Sequence, residues 1–507
     1  MSVHKQGHII DPDCPQTGEL VEADGLVYSC NLNQTDIDAN KNKFYIIQLI
    51  KSGNQYILYT KYGRLGEKGK PSTQTLTSEI EGKTIFAKQF KAKTGNVWGT
   101  KNFVKKDTKY FLSQISYEDD LKNVKIDDTK MKIPDSKLDK RVQDLIKMLS
   151  DIKSLEKTLI SLEIDIKKLP LGKIKQSQLK SAEDKLNEIA KMISETDDNS
   201  DDDDSNDIEE DISLNQLTKE SSSFYTMLPM AFGRKRPPVI DTTEMIQKYK
   251  DIITELKNIA VTVKIQADIK VDENPLDSIY SSMNTFISPV DKMSKTWLLV
   301  DSYIKSTHGP THGPKLELLE LFEIEQKGKK ELFDKYCEKI GNKQLLYHGT
   351  GMTNIISIFK NGMYLDPAQT DSKIAISGRM FGMGIYKSSC ATKSFNYCKS
   401  EISDNIGTLI LSEVALGKQY DRVDADWITK DMLAKKKYDS VKGVGQYESV
   451  DTNAVVIDNN IKIPMGPLKM INRNNNLYYN EYILFDVNQF LIKFLVIVKN
   501  VGGRSNY

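Results

Sequence analysis

Short aromatic and β-branched runs dominate the first part of the chain. KFYIIQLI (43–50) and NQYILYTKYG (54–63) are separated by KSG, and KNFVKKDTKYFLSQISY follows a Gly-Asn turn at 95–96. Runs of this kind, broken by turn residues, predict a β-rich segment over 1–118. Residues 119–133 are polar and charged and read as a linker. From Pro134 to about 285 the apolar spacing becomes helical. Val142, Leu145, Leu149 and Ile152 form one stripe, and Leu179, Ala182, Leu186, Ile189 and Ile193 another. Asp241 followed by Glu244 has the look of a capping box ahead of Met245, Tyr249, Ile252, Leu256 and Ile259. An all-α bundle is expected over 134–285. Within it, ETDDNSDDDDSNDIEED (195–211) carries 11 acidic residues. Such a run repels itself and buries nothing, so it is expected to be a loop between helices. From 286 to 507 helix and strand mix. KQLLYHG (343–349), GTLILSEVALG (407–417), EYILFDV (481–487) and IKFLVIVK (492–499) are the strand candidates. That mixture predicts an α+β domain. A length of 507 residues suits about three domains.

Composition changes this picture in one place. The chain is 39% hydrophobic and 28% charged with a net charge of +1, as in a globular protein. Residues 41–110 nevertheless hold 15 Lys/Arg against 4 Asp/Glu. Lysines interleaved with Tyr and Trp suit phosphate contact and stacking of bases or sugars; a solvated lysine face is the other reading. No apolar run approaches the roughly 20 residues of a membrane helix, and the first residues lack the apolar stretch of a signal peptide. A nuclear or cytosolic location without membrane association is expected. The five cysteines form no CxxC pair, which indicates neither a disulfide framework nor a zinc site. His308 and His312 are spaced like metal ligands. They stand in STHGPTHG, where Gly and Pro forbid the helix that would align them, so no metal is expected.

Taken singly, the polar residues of the last segment are ambiguous. His348 could be structural, Tyr386 core and Glu481 a surface carboxylate. No Walker loop or dinucleotide-binding GxGxxG is present. Their order is more informative. LLYHGT (345–350), GRMFGMGIY (378–386), TKSFNYC (392–398) and LYYNEYILFD (477–486) resemble the catalytic domain of poly(ADP-ribose) polymerases, as do KSTHGPTHG (305–313), LSEVALG (411–417), DSVKGVG (439–445) and IPMGP (463–467). VQDLIKML (142–149), KKLPLGKI (167–174) and FYTMLPMAFGRKRPP (224–238) resemble that family's helical regulatory domain. IDPDC (10–14), LNQTDI (32–37), NKFYIIQLI (42–50) and KTGNVWG (93–99) resemble its WGR domain. The likeness is greatest to the short members without zinc fingers.

The resemblance implies a multidomain protein with a small β-rich WGR domain (1–118), a linker (119–133), an all-α helical regulatory bundle (134–285, acidic loop 195–211) and an α+β ADP-ribosyltransferase domain (286–507). It implies NAD⁺ as substrate, no metal, and ADP-ribose transfer to protein acceptors, the protein itself included. DNA strand breaks, as 5′-phosphate ends or nicks, would stimulate the transfer by relieving a block imposed by the helices, and the location would be the nucleus. His348, Tyr386 and Glu481 would form the catalytic triad. His348 would bond a ribose hydroxyl, Gly349 and Ser394 would hold the nicotinamide carboxamide, and Tyr397 and Tyr386 would flank the ring. Glu481 would stabilise positive charge developing on the ribose. Tyr62 and Arg64 would contact DNA, with Tyr62 where the family has Trp, and Trp98 would belong to the core. The enzyme alternative is mono-transfer without elongation; the non-enzyme alternative is a DNA-end-binding scaffold.

Several positions depart from the family pattern. Tyr364 stands where an arginine is usual, the loop between Asp366 and Gly378 is longer, and Arg379 and Met383 replace a common tyrosine and lysine. The C-terminal VGGRSNY lacks a Leu-Trp ending. The changes at Tyr364, the 366–378 loop, Arg379 and Met383 fall at the adenosine end of the implied NAD⁺ site and leave the nicotinamide end intact. The KM for NAD⁺, or the product length on gels, is therefore expected to depart from the family's ordinary values while nicotinamide release survives. Ordinary values for both would contradict this.

Overall fold

The computed structural model describes residues 8–113, 134–161, 176–197, 206–269, 273–363, 365 and 379–503. Tyr364, the loop between Asp366 and Gly378, the 119–133 linker and KKLPLGKI (167–174) lie outside the described residues. The chain divides into two compact units: 1–131 with 156–268, and 132–155 with 269–507.

The first unit contains an antiparallel sheet of β1 (Ser29–Asp36), β2 (Lys41–Ser52), β3 (Gln55–Arg64), β4 (Lys70–Leu76) and β5 (Phe111–Leu112), in the order β4-β3-β2-β1-β5. The two runs predicted as strands are β2 and β3, paired from Lys43↔Arg64 to Ser52↔Gln55. The segment is not β alone. Helix α1 (Glu79–Thr94) packs Phe86 and Phe90 onto Ile47, Leu49 and Leu58. Its start is fixed by reciprocal caps: Ser78 Oγ accepts from the Glu81 N–H, and the Glu81 carboxylate accepts from the Thr77 N–H. Its apolar anchors are few among the lysines, which is why the hydrophobic pattern did not announce it. Trp98 packs edge-on against Phe86 and Phe90, at 4.8 and 4.9 Å.

The helices that follow are α2 (Lys140–Leu149), α3 (Ile152–Ser161), α4 (Gln176–Asp197), α5 (Asn206–Met227), α6 (Thr243–Ala267) and α7 (Pro275–Ser282). The stripe expected to run from Val142 to Ile152 is broken. The Ser150 hydroxyl bonds back to the Ile146 carbonyl, and Asp151 accepts the Ser154 N–H to begin α3. The acidic segment is also less loop than expected, because residues 195–197 end α4 and 206–211 begin α5. Residues 198–205 lie outside the described residues. The cap of α6 is Thr242, accepting from the Met245 N–H, rather than Asp241. In the first unit, Leu179, Ala182, Leu186, Ile189 and Ile193 of α4 are buried as the spacing predicts. Phe224 of α5 meets Tyr249 of α6 at 5.1 Å, and the Tyr225 and Tyr249 hydroxyls bond at 2.8 Å. The sheet is tied to the segment after α5 by Asn42, whose amide donates to the Met230 carbonyl and accepts from Thr35.

In the second unit, α2 docks through Arg141, which forks onto the Glu320 carboxylate and donates to the Val290 carbonyl. Two sheets carry the site, with helices α8 (Lys295–Ser306), α9 (Lys329–Ile340) and α10 (Ile355–Asn361) in the intervening chain. The larger orders β6 (Thr285–Pro289), β7 (Leu316–Gln326), β8 (Lys343–Thr350), β10 (Ile406–Ala415), β13 (Val455–Ile457), β14 (Ile461–Ile463) and β16 (Phe490–Asn500) as β13-β14-β8-β10-β16-β7-β6. β10 is central and buried along almost its whole length, hence the apolar Leu409–Leu411 at its middle. The smaller sheet is β9 (Ile385–Lys387), β15 (Glu481–Leu484), β12 (Ser440–Gly443) and β11 (Gln419–Arg422), in that spatial order. A bridge between Tyr347 and Ser388 joins the end of β8 to the end of β9. Below it, Tyr303 and Tyr347 stack at 4.5 Å in a core shared with Ala391 and Phe395.

Asn42 is fully buried, so truncation strands the Met230 carbonyl away from water. Asn42→Ala is expected to cost about 1–3 kcal/mol, read as a lowered denaturant midpoint. A midpoint shifted no more than that of Gln55→Ala, at an exposed position, would contradict this.

Candidate active site

Four segments distant in sequence meet where β8 ends. Strand β8 delivers His348 and Gly349, β9 delivers Tyr386, the short helix α11 (Ala391–Phe395) with the residues after it delivers Ser394 and Tyr397, and β15 begins with Glu481. Pairing of β9 with β15 sets Tyr386 opposite Ile483, and pairing with β12 sets Glu481 opposite Gly443. Gly349 admits no side chain, since a Cβ there would lie 1.6 Å from the Ser394 carbonyl oxygen. Glycine is thus required by close backbone approach, and that approach brings Ser394 to the end of β8. The Ser394 carbonyl in turn accepts the Tyr397 N–H, and the Tyr397 ring is exposed.

Glu481 is ion-paired. Lys393 Nζ, on α11, lies 2.8 Å from Glu481 Oε1 and donates at 2.8 Å to the Tyr479 carbonyl. Both side chains are about seven-eighths buried, with 12% and 13% exposure. The helix carrying Lys393 is held from behind. Ala391 N–H donates to the Thr307 carbonyl and Gly309 N–H to Thr392 Oγ1, and His312 Nδ1 meets Thr392 Oγ1 at 2.8 Å. His312 therefore serves the HGPTHG loop as a positioning group. Among the described residues, no group of three His, Cys, Asp or Glu side chains could hold a metal.

His348 Nδ1 lies 2.9 Å from the Tyr386 carbonyl. A carbonyl only accepts, so Nδ1 carries the proton and Nε2 remains an acceptor. Burial, and then the charge of Lys387, lower the His348 pKa to about 3, so the imidazole is neutral at physiological pH. The Tyr386 hydroxyl donates to the Gly382 carbonyl and accepts the Phe381 N–H. Burial pushes its pKa up, and Glu481 adds to the shift. Tyr386 thus offers a ring face and not a proton. The ensemble comprises one carboxylate with a paired cation, a neutral imidazole acceptor, backbone polar groups at a glycine, and two tyrosine rings. It suits a planar amide-bearing ring and a hydroxylated sugar that develops positive charge.

A second candidate surface lies on the first unit. Tyr62 is exposed and stacks on Tyr45, its partner across β2 and β3, at 5.9 Å and 13°. Lys93 Nζ sits 4.3 Å from the Tyr45 ring centre. Its pKa is lowered by burial and then by Lys43 and Lys109, so basic groups cluster beside the rings. Arg64 is already engaged. Its guanidinium donates to the carbonyl and side-chain oxygens of Asn40 (2.7 and 2.8 Å) and to the carbonyls of Lys235 (2.8 Å) and Gly233. The GRKRPP turn is thus a backbone partner for Arg64, and its Arg236 bonds Asp38 and the Ile37 carbonyl.

His348, Gly349, Tyr386, Ser394, Tyr397 and Glu481 are brought together in the second unit, and Tyr62 and Arg64 share strand β3 of the first. Arg379 Nη1 lies 3.8 Å from the Met383 sulfur. Sequence reading missed Lys393. It lies inside the TKSFNYC motif, but only its partner's position shows its use.

Residues 294–500 match the poly(ADP-ribose) polymerase catalytic domain, 136–280 the poly(ADP-ribose) polymerase regulatory domain and 28–105 the WGR domain. The chain is 33% identical over 507 residues to poly(ADP-ribose) polymerase 1 of Gallus gallus, covering 98% of this chain and 47% of that one. It is 32% identical to poly(ADP-ribose) polymerase 2 of Homo sapiens, covering 97% and 83%. To poly(ADP-ribose) polymerase 2-A of Oryza sativa subsp. japonica it is 30% identical, covering 93% and 70%. It spans about half the length of the first of these.

The neutral His348 has a pH signature. An unfolded histidine takes up its proton near pH 6.5 and this one at about 3, so acidification between those values favours the unfolded state. The His348 ring resonance is expected to stay fixed by NMR from pH 8 to 4, with assignment by a His348→Gln variant. A midpoint near 6.5 would contradict the described environment.

Proposed function

The chain belongs to the poly(ADP-ribose) polymerase family, and from that premise we propose that it cleaves NAD⁺ and transfers ADP-ribose to protein acceptors, itself included, in response to DNA strand breaks. The observation that carries the reading is the convergence of His348, Gly349, Tyr386, Ser394 and Tyr397 around Glu481.

In this reading Gly349 holds the nicotinamide carboxamide through its backbone, assisted by Ser394, and Tyr397 and Tyr386 flank the ring. His348 Nε2 accepts from a ribose hydroxyl. The C–N bond between nicotinamide and the ribose breaks, and its electron pair leaves with nicotinamide as a neutral molecule. Positive charge appears on the ribose, and the Glu481 carboxylate, bonded to the 2′-hydroxyl, stabilises it. The acceptor nucleophile then bonds to the same carbon and gives its proton up to solvent; Glu481 polarises the acceptor hydroxyl during elongation. Nicotinamide needs no protonation to leave, so one carboxylate suffices where a glycosidase uses two. Lys393 fixes the orientation of that carboxylate. No step calls for a metal.

The proposed domains are a WGR domain over 1–118, a helical regulatory domain over 134–285 and the transferase over 286–507. The DNA surface in this reading is the Tyr62–Tyr45 stack with Lys93, Lys43 and Lys109. Stacking faces among cations suit a strand end or nick with a 5′-phosphate. Arg64 reaches a phosphate only by giving up its carbonyl partners at Asn40, Gly233 and Lys235. A nuclear location follows from the DNA partner.

Labelled NAD⁺ with and without a 5′-phosphorylated nicked duplex tests the whole reading. A DNA-stimulated ladder of products is expected, reduced about 100-fold or more in Glu481→Gln. A single sharp band would indicate mono-transfer. DNA binding without labelling would indicate a scaffold and overturn the enzymatic reading.

A further inference from the structure

The residue after Tyr386 is a lysine whose side chain turns inward. Lys387 is 2% exposed. Its amine donates to Ser412 Oγ at 3.0 Å, approaches the Met363 sulfur at 3.6 Å and sits 4.4 Å from the centre of the Phe490 ring. No carboxylate among the described residues pairs with it. An ammonium ion in such a place lacks the countercharge that burial normally demands. Strand register puts Ser412 and His348 on one face of the larger sheet. Ser412 is opposite Leu346, two residues before His348, which is opposite Ile410. Met363 and Phe490 also line a cavity of about 220 Å³ with Gln326, Lys329, Asn361 and Val487.

Among the described residues, the groups facing the amine are few. From β8 comes His348, neutral for the reasons above. From β15 comes Tyr482, the cross-strand partner of Lys387. From the cavity wall comes Lys329, a second cation. The facing positions of β10 and β16 (Ile410, Val414, Phe490 and Ile492) are apolar. Glu413 is taken by Lys343 at 2.9 Å and Glu481 by Lys393. Burial lowers the amine's pKa from 10.5 to about 7, and its charge is felt at His348.

We propose that Lys387 is a charge gate on the nicotinamide end of the site: without its extra proton it admits the cationic nicotinamide ring of NAD⁺, and with it the site rejects that ring while accepting neutral nicotinamide. The gate rests on the NAD⁺ reading above. The pyridinium charge of NAD⁺ is permanent and its phosphates are ionised throughout the relevant range, so ligand titration does not enter. His348 titrates too low to mimic the effect.

The test is equilibrium binding of carba-NAD⁺, whose ring is cationic but whose C–N bond resists cleavage, and of nicotinamide, between pH 6 and 8. Wild-type affinity for carba-NAD⁺ is expected to rise on the order of tenfold over that range, and affinity for nicotinamide to change by less than about twofold. Lys387→Met, which keeps the length and loses the charge, should bind both with flat profiles; Lys387→Arg should bind carba-NAD⁺ weakly throughout. Parallel slopes for the two ligands, or a retained slope in Lys387→Met, would overturn the gate alone. Carba-NAD⁺ that binds at no pH would overturn the proposed function and the gate together. Ligand-free unfolding gives an independent readout. The folded amine gives up its proton near pH 7 and the unfolded one near 10.5, so the wild type should gain stability on Lys387→Met as pH rises above 7. A constant difference between them would overturn the titrating amine itself.

Discussion

The site depends on one close approach. The backbone of Gly349 meets the Ser394 carbonyl so tightly that no Cβ fits between them. That contact fixes a five-residue helix, α11, against the end of a buried strand. Helix α11 is too short to hold its own shape in water. It persists because Phe395 and Ala391 enter the core and the 307–312 loop bonds its start. Once it is fixed, Ser394 faces Gly349, Lys393 reaches Glu481, and Tyr397 is held by a turn onto the Ser394 carbonyl. A shift of one residue in this helix would lose all three together.

The chemistry follows from what this arrangement leaves free. The Tyr386 hydroxyl is consumed by backbone groups and the Nδ1–H of His348 by the Tyr386 carbonyl. What remains for a ligand is an imidazole acceptor, backbone polar groups, ring faces and one oriented carboxylate. Such a set binds and stabilises charge; it does not shuttle protons to a leaving group. This suits a substrate whose leaving group departs neutral, as in the proposed reaction, where a single carboxylate at Glu481 would be enough.

Much of this was legible in the sequence, and for identifiable reasons. Strands β8, β10, β15 and β16 are apolar runs bounded by turns, and the α4 stripe repeats at helical spacing. Glu481, His348 and Tyr386 were legible only as an ordered set of motifs, because each alone has an ordinary structural role. Helix α1 was hidden by its lysines and its few apolar anchors. The break at Ser150 rests on a side-chain bond to the backbone, which apolar spacing does not register. Lys393 and Lys387 look alike in sequence, yet one is neutralised by Glu481 and the other has no countercharge among the described residues. That difference depends on pairing across β9, β10 and β15, and charge pattern along the chain carries no trace of it. Arg64 is the converse case: its motif implies a DNA contact, whereas its guanidinium is held by the Gly233 and Lys235 carbonyls, about 170 residues away.

The end of β8, helix α11 and Glu481 together form the proposed nicotinamide-ribose site. A crystal structure with carba-NAD⁺ bound tests it most directly. The carboxamide is expected against the Gly349 backbone and Ser394, the ring between Tyr386 and Tyr397, and the ribose hydroxyls within hydrogen-bond reach of His348 Nε2 and the Glu481 carboxylate. A dinucleotide bound elsewhere, or bound here with its ribose turned away from Glu481, would contradict it.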